Sequence, residues 1–375
     1  MITPKQFFET LVNNGITFFT GVPDSLLKDF CAYVTNNVSK EDHIINSNEG
    51  AAVALAAGYY LATGTPALVY MQNSGLGNSI NPLLSLADPE VYSIPMLLMI
   101  GWRGEPGKKD EPQHRKQGRV MLKMLDAMEI SYQIINSDVK NINGIIEEAV
   151  KFMKEKKSPY ALIISEGSFG EYKFEENDET IFSLRREDAI KMILENLNPE
   201  DVIISTTGKA SREVYEYRKK NNQKHENDFL TVGSMGHSSQ IALGIALKKK
   251  EKNIYVLDGD GAVIMQMGTL AILGTEAPVN FKHIVINNGA HDSVGGQPTA
   301  ALKIDISAIA HSCGYINCTK AETKEEIIRE LEILKQSKGP SLLEIKVNKG
   351  ARNDLGRPSS TPIENKEGFM SCLSK

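Results

Sequence analysis

Two short apolar runs in the second half of the chain, each ending in a polar turn, constrain the fold most strongly. The first run, residues 254–257, precedes Gly259-Asp260-Gly261, and the second run, residues 284–286, precedes Asn287-Asn288. A helix-compatible segment lies between them, so we predict two parallel strands joined by a helix. Because the carboxyl ends of such strands meet at one edge of the sheet, the two turns should lie together.

The residues of these two turns are suited to a metal ion and a phosphate group. One carboxylate and two carboxamides supply hard oxygen ligands, and the glycines leave backbone N–H groups accessible. This donor set favours a magnesium ion that holds a diphosphate. A lone Gly-Asp-Gly can also be only a tight turn, but here Asn-Asn follows it after an interval of 25 residues.

Alternating strand and helix patterns extend over the whole chain of 375 residues. Apolar strands are predicted in the first half at residues 16–19, 43–46, 66–71, 95–100, 132–135 and 160–165, and in the second half at residues 202–205, 229–232, 254–257, 284–286 and 341–347. This alternation predicts an α/β fold with two doubly wound parallel sheets.

The predicted domain organisation has two α/β domains and a polar connection. The domains are residues 1–170 and residues 184–375, and the linker is residues 171–183. The polar tail that begins at Lys349 is expected to extend over a neighbour or to be loosely ordered.

Composition and charge exclude several classes of function. The net charge of -5 argues against general nucleic-acid binding. The small-residue stretch 51–71 is interrupted by two glycines and a proline and is not a membrane span. No apolar signal core opens the chain, and the four cysteines form no Cys-x-x-Cys pair, so we expect a reduced, cytoplasmic setting. A nucleotide-binding oxidoreductase is disfavoured because no strand-to-helix turn reads Gly-x-Gly-x-x-Gly.

Glu49 lies at another predicted strand end, in the first half of the chain. It follows the strand 43–46 and opens a helix rich in alanine and glycine. By position alone, it is explained most simply as an acidic residue that interacts favourably with the helix dipole. Its place at the carboxyl edge of the sheet also allows contact with a ligand.

Taken together, these features resemble the thiamine diphosphate enzymes. The signature of those enzymes is Gly-Asp-Gly followed at about this interval by Asn-Asn, and they carry a glutamate just before a small-residue helix, as in NEGAAVALAAGYYLATG here. The segments NNGAHDSVGGQPT and GWRG…DEPQH look most like the phosphonopyruvate decarboxylase family. Sulfopyruvate decarboxylases are similar, and both families have a two-domain plan without the third domain of many other thiamine decarboxylases.

The resemblance implies thiamine diphosphate and Mg²⁺ as cofactors, with a pyrimidine-binding first domain and a diphosphate-binding second domain. Asp260, Asn288 and the carbonyl of Ala290 would bind Mg²⁺. Glu49 would hydrogen-bond the pyrimidine ring and so activate the cofactor. Met235 would hold the cofactor in its bent form, although it also suits plain core packing. Further cofactor contacts are expected from Thr206, Thr207, Gly208, Ser238, Ser239, Gly259 and Gly261.

Two segments are candidates for the substrate end of the site. Residues 101–119 are rich in glycine, proline and charge, which suits an ordinary exposed loop or a lid that carries Arg103, Lys109 and His114 to an anionic head group. His291 and Asp292 directly follow the metal turn. We predict that Asp292 contacts the substrate. His114 and His291 are candidate catalytic residues. His291 is suited to act as a proton donor or to contact an anion.

The activity implied by the resemblance is the decarboxylation of phosphonopyruvate to phosphonoacetaldehyde and CO₂, in phosphonate biosynthesis. The alternative is sulfopyruvate decarboxylase or another 2-oxo acid decarboxylase with the same cofactor. In the family, the glutamate and the metal turn of one active site come from different subunits, so a homodimer or larger assembly is expected. A non-catalytic binding subunit would be expected to lack Glu49 or Asp260, and both are present.

Overall fold

The structure is a computed structural model that describes residues 1–174, 181–352 and 354–374. The chain divides into two units, Met1–Asn177 and Asp178–Lys375. The predicted linker, residues 171–183, includes residues 175–180, which lie outside the described residues. No helix in the described ranges has the length and apolar character needed to cross a membrane.

The first unit is built on a parallel sheet. Its strands are Phe19–Gly21 (β1), His43–Ile45 (β2), Leu68–Gln72 (β3), Leu97–Gly101 (β4), Ser131–Ile135 (β5) and Tyr160–Ile164 (β6). Its α-helices are Pro4–Asn13 (α1), Lys28–Asn37 (α2), Glu49–Thr63 (α3), Leu76–Pro82 (α4), Pro112–Ala127 (α5) and Ile142–Lys156 (α6). Within the described residues, the six strands follow the order β2-β1-β3-β4-β6-β5.

Helices cover both faces of this sheet because its strands are apolar on both sides. Leu68 and Tyr70 of β3 pack in a core that includes residues of α1, α2 and α6. The alternate residues, Val69 and Met71, pack in a second core with residues of α3 and α5. Successive side chains of a strand point to opposite faces, so these two cores lie on opposite sides of one doubly wound sheet.

The second unit repeats this plan. Its strands are Val202–Ser205 (β7), Asp228–Leu230 (β8), Ile254–Gly259 (β9), Phe281–Asn287 (β10), Asn317–Ala321 (β11) and Ser341–Lys346 (β12). Its α-helices are Arg186–Asn196 (α7), Lys209–Lys220 (α8), Ser238–Ala246 (α9), Asp260–Met265 (α10), Thr269–Glu276 (α11), Ile306–Ser312 (α12), Lys324–Gln336 (α13) and Pro362–Leu373 (α14). The described strands are parallel and follow the order β11-β12-β10-β9-β7-β8. The predicted α/β fold with two parallel sheets is therefore confirmed.

Two elements of the second unit were not predicted. Strand β11 reads NCTKA and lies at an edge of the sheet, where an apolar pattern is not required. Helix α14 lies in the tail for which the sequence predicts extension over a neighbour or loose order. It begins with a capping box between Thr361 and Glu364, has Pro362 in its first turn, and buries Phe369. The capping box and the proline are the signals that could have predicted it.

The segment predicted as a lid is only partly a loop. Helix α5 begins at Pro112, so residues 112–119 are helical and His114 lies in the first turn of α5. The loop proper is limited to residues 102–111. High charge suits an exposed loop, but Pro112 at the first helical position favours the start of a helix.

Candidate active site

The two polar turns of the second unit lie side by side, because β9 and β10 are neighbours in the sheet. Ile286 of β10 is paired with Gly259 of β9, so both turns begin at the same level of the carboxyl edge. Asp260 is the first residue of α10 and is 3% exposed. Its carboxylate accepts hydrogen bonds from the Thr299 hydroxyl and from the backbone N–H of Asn288.

Asp260 is a buried carboxylate in an environment that favours its neutral form. Burial raises its pKa to about 7, although the hydrogen bond from Thr299 acts in the opposite direction. Within the described residues, this pKa is set mainly by burial and by hydrogen bonds, and none of these main causes is a positively charged group. Burying an ionised carboxylate without a cationic partner is unfavourable. A divalent cation bound here would supply the missing positive charge, so the residues present fit Mg²⁺.

The protein ligands available to such a cation are few and are oxygen atoms. No group of three or more His, Cys, Asp and Glu side chains that could hold a metal ion occurs in the described ranges. The turn instead offers one carboxylate, a carboxamide and backbone carbonyls. Mg²⁺ is commonly bound by one or two carboxylates, with substrate phosphates and water completing its octahedral shell.

The two asparagines have different environments. Asn287 is fully buried, donates from Nδ2 to Glu344 Oε1 at 2.7 Å, and accepts at Oδ1 from the Gly289 N–H at 3.1 Å. Asn288 donates from Nδ2 to Asp292 Oδ2 at 2.8 Å and accepts at Oδ1 from the Ala290 N–H at 3.1 Å. A carboxamide oxygen has two lone pairs, so Asn288 Oδ1 can accept a further interaction. Asn287 shapes the turn through contacts inside the sheet.

The chain beyond the asparagines closes into a loop that returns to Asp260. The Thr299 N–H donates to the Gly289 carbonyl at 2.9 Å, and the His291 N–H donates to the Gln297 carbonyl at 2.8 Å. Ala290 forms an antiparallel bridge with Pro298. These bonds bring the Thr299 hydroxyl to the Asp260 carboxylate. Sequence reasoning did not single out Thr299, because only the closure of this loop shows its contact.

His291 and Met235 lie close together beside Gly261. A Cβ atom at position 261 would be 3.1 Å from His291 Cε1 and 3.3 Å from Met235 Cε, so a larger residue would disturb both side chains. Burial lowers the pKa of His291 to about 4, which leaves the imidazole neutral near pH 7. A neutral imidazole can donate or accept a hydrogen bond, but it carries no charge for an anion.

The turn after β7 lies next to the loop that follows Asn288. The Thr206 N–H donates to the Leu257 carbonyl at 2.7 Å, while its buried hydroxyl oxygen has no hydrogen-bond partner among the described residues. Gly208 has a φ of +94°, and a Cβ there would be 2.9 Å from Ser293 Oγ. An unsatisfied buried hydroxyl and a close glycine turn suit an oxyanion ligand. Thr207 is partly buried in the same turn.

Ser238 and Ser239 are both buried and form the first residues of α9. Ser238 Oγ lies 3.4 Å from the Ser205 carbonyl and 3.4 Å from Thr231 Oγ1, which connects the start of the helix to the end of β7. Ser239 Oγ lies 3.4 Å from Thr269 Oγ1. The backbone N–H groups at the start of α9 are a further source of hydrogen bonds for an anion.

In the first unit, Glu49 is the first residue of α3 and is 5% exposed. The side chain of Asn48 caps the helix by accepting from the Ala51 N–H at 2.9 Å. Asn78 of α4 donates to Glu49 Oε2 at 2.8 Å. The carboxylate fills the space beside Gly75, where a Cβ would lie 2.3 Å from Oε1. The carboxylate of Glu49 is therefore held in one position by a hydrogen bond and by a glycine.

The predicted substrate residues Arg103 and His114 have well-defined surroundings. Arg103 forms a two-pronged ion pair with Asp110, with Nε 2.8 Å from Oδ2, and donates from Nη1 to Ser25 Oγ at 2.8 Å. Burial, with the nearby charge of Arg103, lowers the pKa of His114 to about 4. Lys109 is exposed. Arg103 thus anchors the loop 102–111, and Lys109 is the predicted substrate residue most open to solvent.

Asp24, three residues after β1, is a fully buried carboxylate. It accepts from Gln72 Nε2 at 2.6 Å and from the Leu26 N–H at 3.0 Å, and burial raises its pKa. It lies at the same sheet edge as Arg103, because β1, β3 and β4 are neighbours. No pattern in the sequence distinguishes a buried from an exposed aspartate after a strand.

Asp292, predicted as a substrate contact, lies among protein groups. Arg186 Nη1 and Asn288 Nδ2 both donate to its Oδ2, at 2.9 Å and 2.8 Å. Sequence reasoning missed Arg186, which is buried and is separated from Asp292 by 106 positions.

Two family models match parts of this chain. Residues 1–130 match the family model of the N-terminal TPP binding domain of thiamine pyrophosphate enzymes, and residues 206–345 match that of the C-terminal TPP binding domain. TPP, thiamine pyrophosphate, is thiamine diphosphate. The second match begins at Thr206 and includes Asp260 and Asn288, and the first includes Glu49.

Three relatives are similar over nearly their whole lengths. A phosphonopyruvate decarboxylase of Streptomyces viridochromogenes is 32% identical, with 100% of this chain and 96% of the relative covered. A second phosphonopyruvate decarboxylase, of Streptomyces hygroscopicus, is 31% identical, with 97% and 92% covered. A sulfopyruvate decarboxylase of Methanosarcina acetivorans is 29% identical, with 100% and 98% covered. The chain therefore belongs to the family of thiamine diphosphate-dependent 2-oxo acid decarboxylases that contains the phosphonopyruvate and sulfopyruvate decarboxylases.

Proposed function

We propose that this protein decarboxylates phosphonopyruvate to phosphonoacetaldehyde and CO₂, with thiamine diphosphate and Mg²⁺, as a step in phosphonate biosynthesis. The observation that carries the proposal is the full-length similarity to two phosphonopyruvate decarboxylases, at 32% and 31% identity. The alternative is sulfopyruvate decarboxylation, which the similarity to the Methanosarcina enzyme supports at 29% identity.

The second unit would hold Mg²⁺ and the diphosphate. Asp260, Asn288 and the Ala290 carbonyl are the proposed metal ligands. The unsatisfied Thr206 hydroxyl, with the turn of Thr207 and Gly208 and the start of α9, would donate hydrogen bonds to phosphate oxygens. Thiamine diphosphate, when bound, supplies the electron sink for loss of CO₂.

Glu49 would hydrogen-bond the pyrimidine ring of the cofactor. Asn78 donates to Oε2, while no hydrogen bond to Oε1 is given by the described residues, so Oε1 is the less occupied oxygen for that bond. His291 is neutral and lies beside Gly261 and Met235, so it can donate or pass on a proton near the metal turn. We also propose a homodimer as the smallest active assembly, as the resemblance to the family implies.

Arg103, Lys109 and His114 would form the substrate end of the site. The guanidinium of Arg103 is preoriented by Asp110, and Lys109 adds a second positive charge on the same loop. A dianionic phosphonate would gain more from two cations than a monoanionic sulfonate would. Neutral His114 would contribute a hydrogen bond rather than a charge.

A comparison of three substrates tests the proposal. The assay measures CO₂ release with saturating thiamine diphosphate and Mg²⁺. We expect kcat/KM for phosphonopyruvate to exceed kcat/KM for sulfopyruvate by about tenfold or more, and to exceed kcat/KM for pyruvate by a larger factor. The reason is that each missing charge on the substrate removes a favourable contact. Omitting Mg²⁺ in the presence of a chelator is the control and should abolish turnover. Preference for sulfopyruvate would favour the alternative, and preference for pyruvate would contradict the anion-binding role of the loop.

Gly75→Ala is expected to lower kcat/KM and cofactor affinity by about tenfold to a hundredfold, because the new methyl group would displace the Glu49 carboxylate. Cofactor binding by calorimetry and steady-state turnover are the measurements. Gly77→Ala is the matched control, since a Cβ there meets nothing within 4 Å. Equal loss in the two variants would show that Glu49 is not the group affected.

A further inference from the structure

The side-chain amide of Asn288 is oriented by two neighbouring groups, a hydrogen-bond donor near its oxygen and a hydrogen-bond acceptor near its nitrogen. The Ala290 N–H, a donor only, lies 3.1 Å from Oδ1. The Asp292 carboxylate, an acceptor only when ionised, lies 2.8 Å from Nδ2. Rotating the amide by half a turn would place a donor against the N–H and an oxygen against the carboxylate. Both neighbours therefore specify the same orientation.

Asp292 is itself held by a buried ion-pair cluster. Arg186 Nη1 lies 2.9 Å from Asp292 Oδ2, and the same guanidinium makes two bonds to Glu213, from Nε at 2.8 Å and from Nη2 at 2.9 Å. Arg186 and Glu213 are both buried. A guanidinium fixed at both ends is a rigid support, because its planar geometry sets the direction of every N–H bond.

The remaining contacts of Asp292 also come from the protein. The Gly350 N–H lies 3.1 Å from Oδ2, and Lys209 Nζ donates to the Asp292 backbone carbonyl at 2.9 Å. The side chain of Asp292 is 9% exposed. Its carboxylate is thus directed towards Arg186 and Asn288.

We propose that Arg186 and Asp292 are positioning residues that fix the side-chain amide of Asn288, so that its oxygen is presented to the metal ion. This inference rests on the proposed role of Asn288 as a ligand of Mg²⁺. Arg186 holds the Asp292 carboxylate in place, Asp292 accepts from Nδ2, and the amide oxygen is left on the side of the Ala290 turn. Hydrogen bonds to a metal ligand commonly change metal affinity by about tenfold to a hundredfold when they are removed.

The test compares Asp292→Ala and Asp292→Asn with a matched pair elsewhere in the same unit. Arg218 and Asp228 form another buried ion pair, with Nε 3.0 Å from Oδ2, and neither side chain is hydrogen-bonded to the turn at Asn287-Asn288 among the described residues. Asp228→Asn should destabilise the fold in the same way as Asp292→Asn, since both break a buried pair. Calorimetric titration of Mg²⁺ into each protein with thiamine diphosphate gives the metal affinity.

We expect Mg²⁺ affinity to fall by about tenfold to a hundredfold in both Asp292 variants and to stay unchanged in Asp228→Asn. Raising Mg²⁺ should restore kcat in Asp292→Asn, with KM for phosphonopyruvate close to that of the wild type. Arg186→Lys keeps the positive charge but not the two-pronged geometry, so its affinity for Mg²⁺ should be intermediate. This variant also keeps the inference testable if the Asp292 variants do not fold.

Two results would overturn this inference while leaving the proposed function intact. One is unchanged Mg²⁺ affinity in a folded Asp292 variant, and the other is a raised KM for phosphonopyruvate with normal metal affinity, which would make Asp292 a substrate contact. If the wild-type protein itself shows no Mg²⁺-dependent binding of thiamine diphosphate, the proposed function fails first.

Discussion

Replacing Glu49 with glutamine is expected to lower kcat/KM by about 10²- to 10⁴-fold, the usual range for loss of a positioned acid–base group. Glutamine has the same shape, so it can keep the bond from Asn78 and the space beside Gly75. It cannot share a proton with a ring nitrogen, which is the property that activation of the cofactor requires. The loss should therefore appear in turnover rather than in folding.

The measurements are steady-state decarboxylation, cofactor binding by calorimetry, and thermal unfolding. Glu147→Gln, on the exposed side of α6, is the control for loss of one negative charge in the same unit and should keep wild-type turnover. The assignment of Glu49 would be wrong if Glu49→Gln turned over substrate at the wild-type rate with normal cofactor affinity.

Asp260→Asn is expected to stabilise the protein in the absence of cofactors and to prevent its activity. The pKa of Asp260 rises from 3.8 to about 7 on folding because of burial, so the folded state holds the proton over a range of pH in which the unfolded state releases it. The free energy of unfolding therefore falls as pH rises from about 4 to about 7. Asparagine removes this dependence, and we expect a gain of about 1 to 3 kcal/mol at pH 8 and little gain at pH 4.

Adding Mg²⁺ and thiamine diphosphate should reverse the order of stability. The wild-type protein should gain stability that rises with the logarithm of the cofactor concentration above Kd, whereas Asp260→Asn should gain little, because it lacks the charged ligand. Thermal unfolding at pH 4 and pH 8, with and without both cofactors, measures this directly. Asp305→Asn, which removes a half-exposed carboxylate paired with Lys320, is the control. Equal stabilisation of wild type and Asp260→Asn by the cofactors would exclude Asp260 as a metal ligand.

The alternation of strands and helices was enough to predict both sheets. It also predicted that the turns after β9 and β10 would lie together, because adjacent parallel strands end at one edge whatever their side chains are. Register is set by apolar residues that must face the core on both sides, and those residues are visible in the sequence. For this reason, the sequence alone predicts that Asp260 and Asn288 lie close together.

The contacts around these residues could not be predicted in the same way. Thr299 reaches Asp260 only because the loop after Asn288 closes on itself, and Arg186 reaches Asp292 across 106 positions of the chain. Neither contact follows from a periodic pattern or a turn preference, since both depend on how loops and helices pack in three dimensions. The same holds for the burial that makes His291 neutral.

Helix α14 has a consequence for the behaviour of the protein with other copies of itself. Strand β8 lies at an edge of its sheet, where unpaired backbone groups can recruit a foreign strand. The amide of Asn365 on α14 accepts from the Leu230 N–H at 3.1 Å and donates to the Asp228 carbonyl at 2.9 Å, as a neighbouring strand would. Helix α14 thus covers an edge at which chains could join into aggregates. Shortening the tail would therefore lower solubility before it changed catalytic activity.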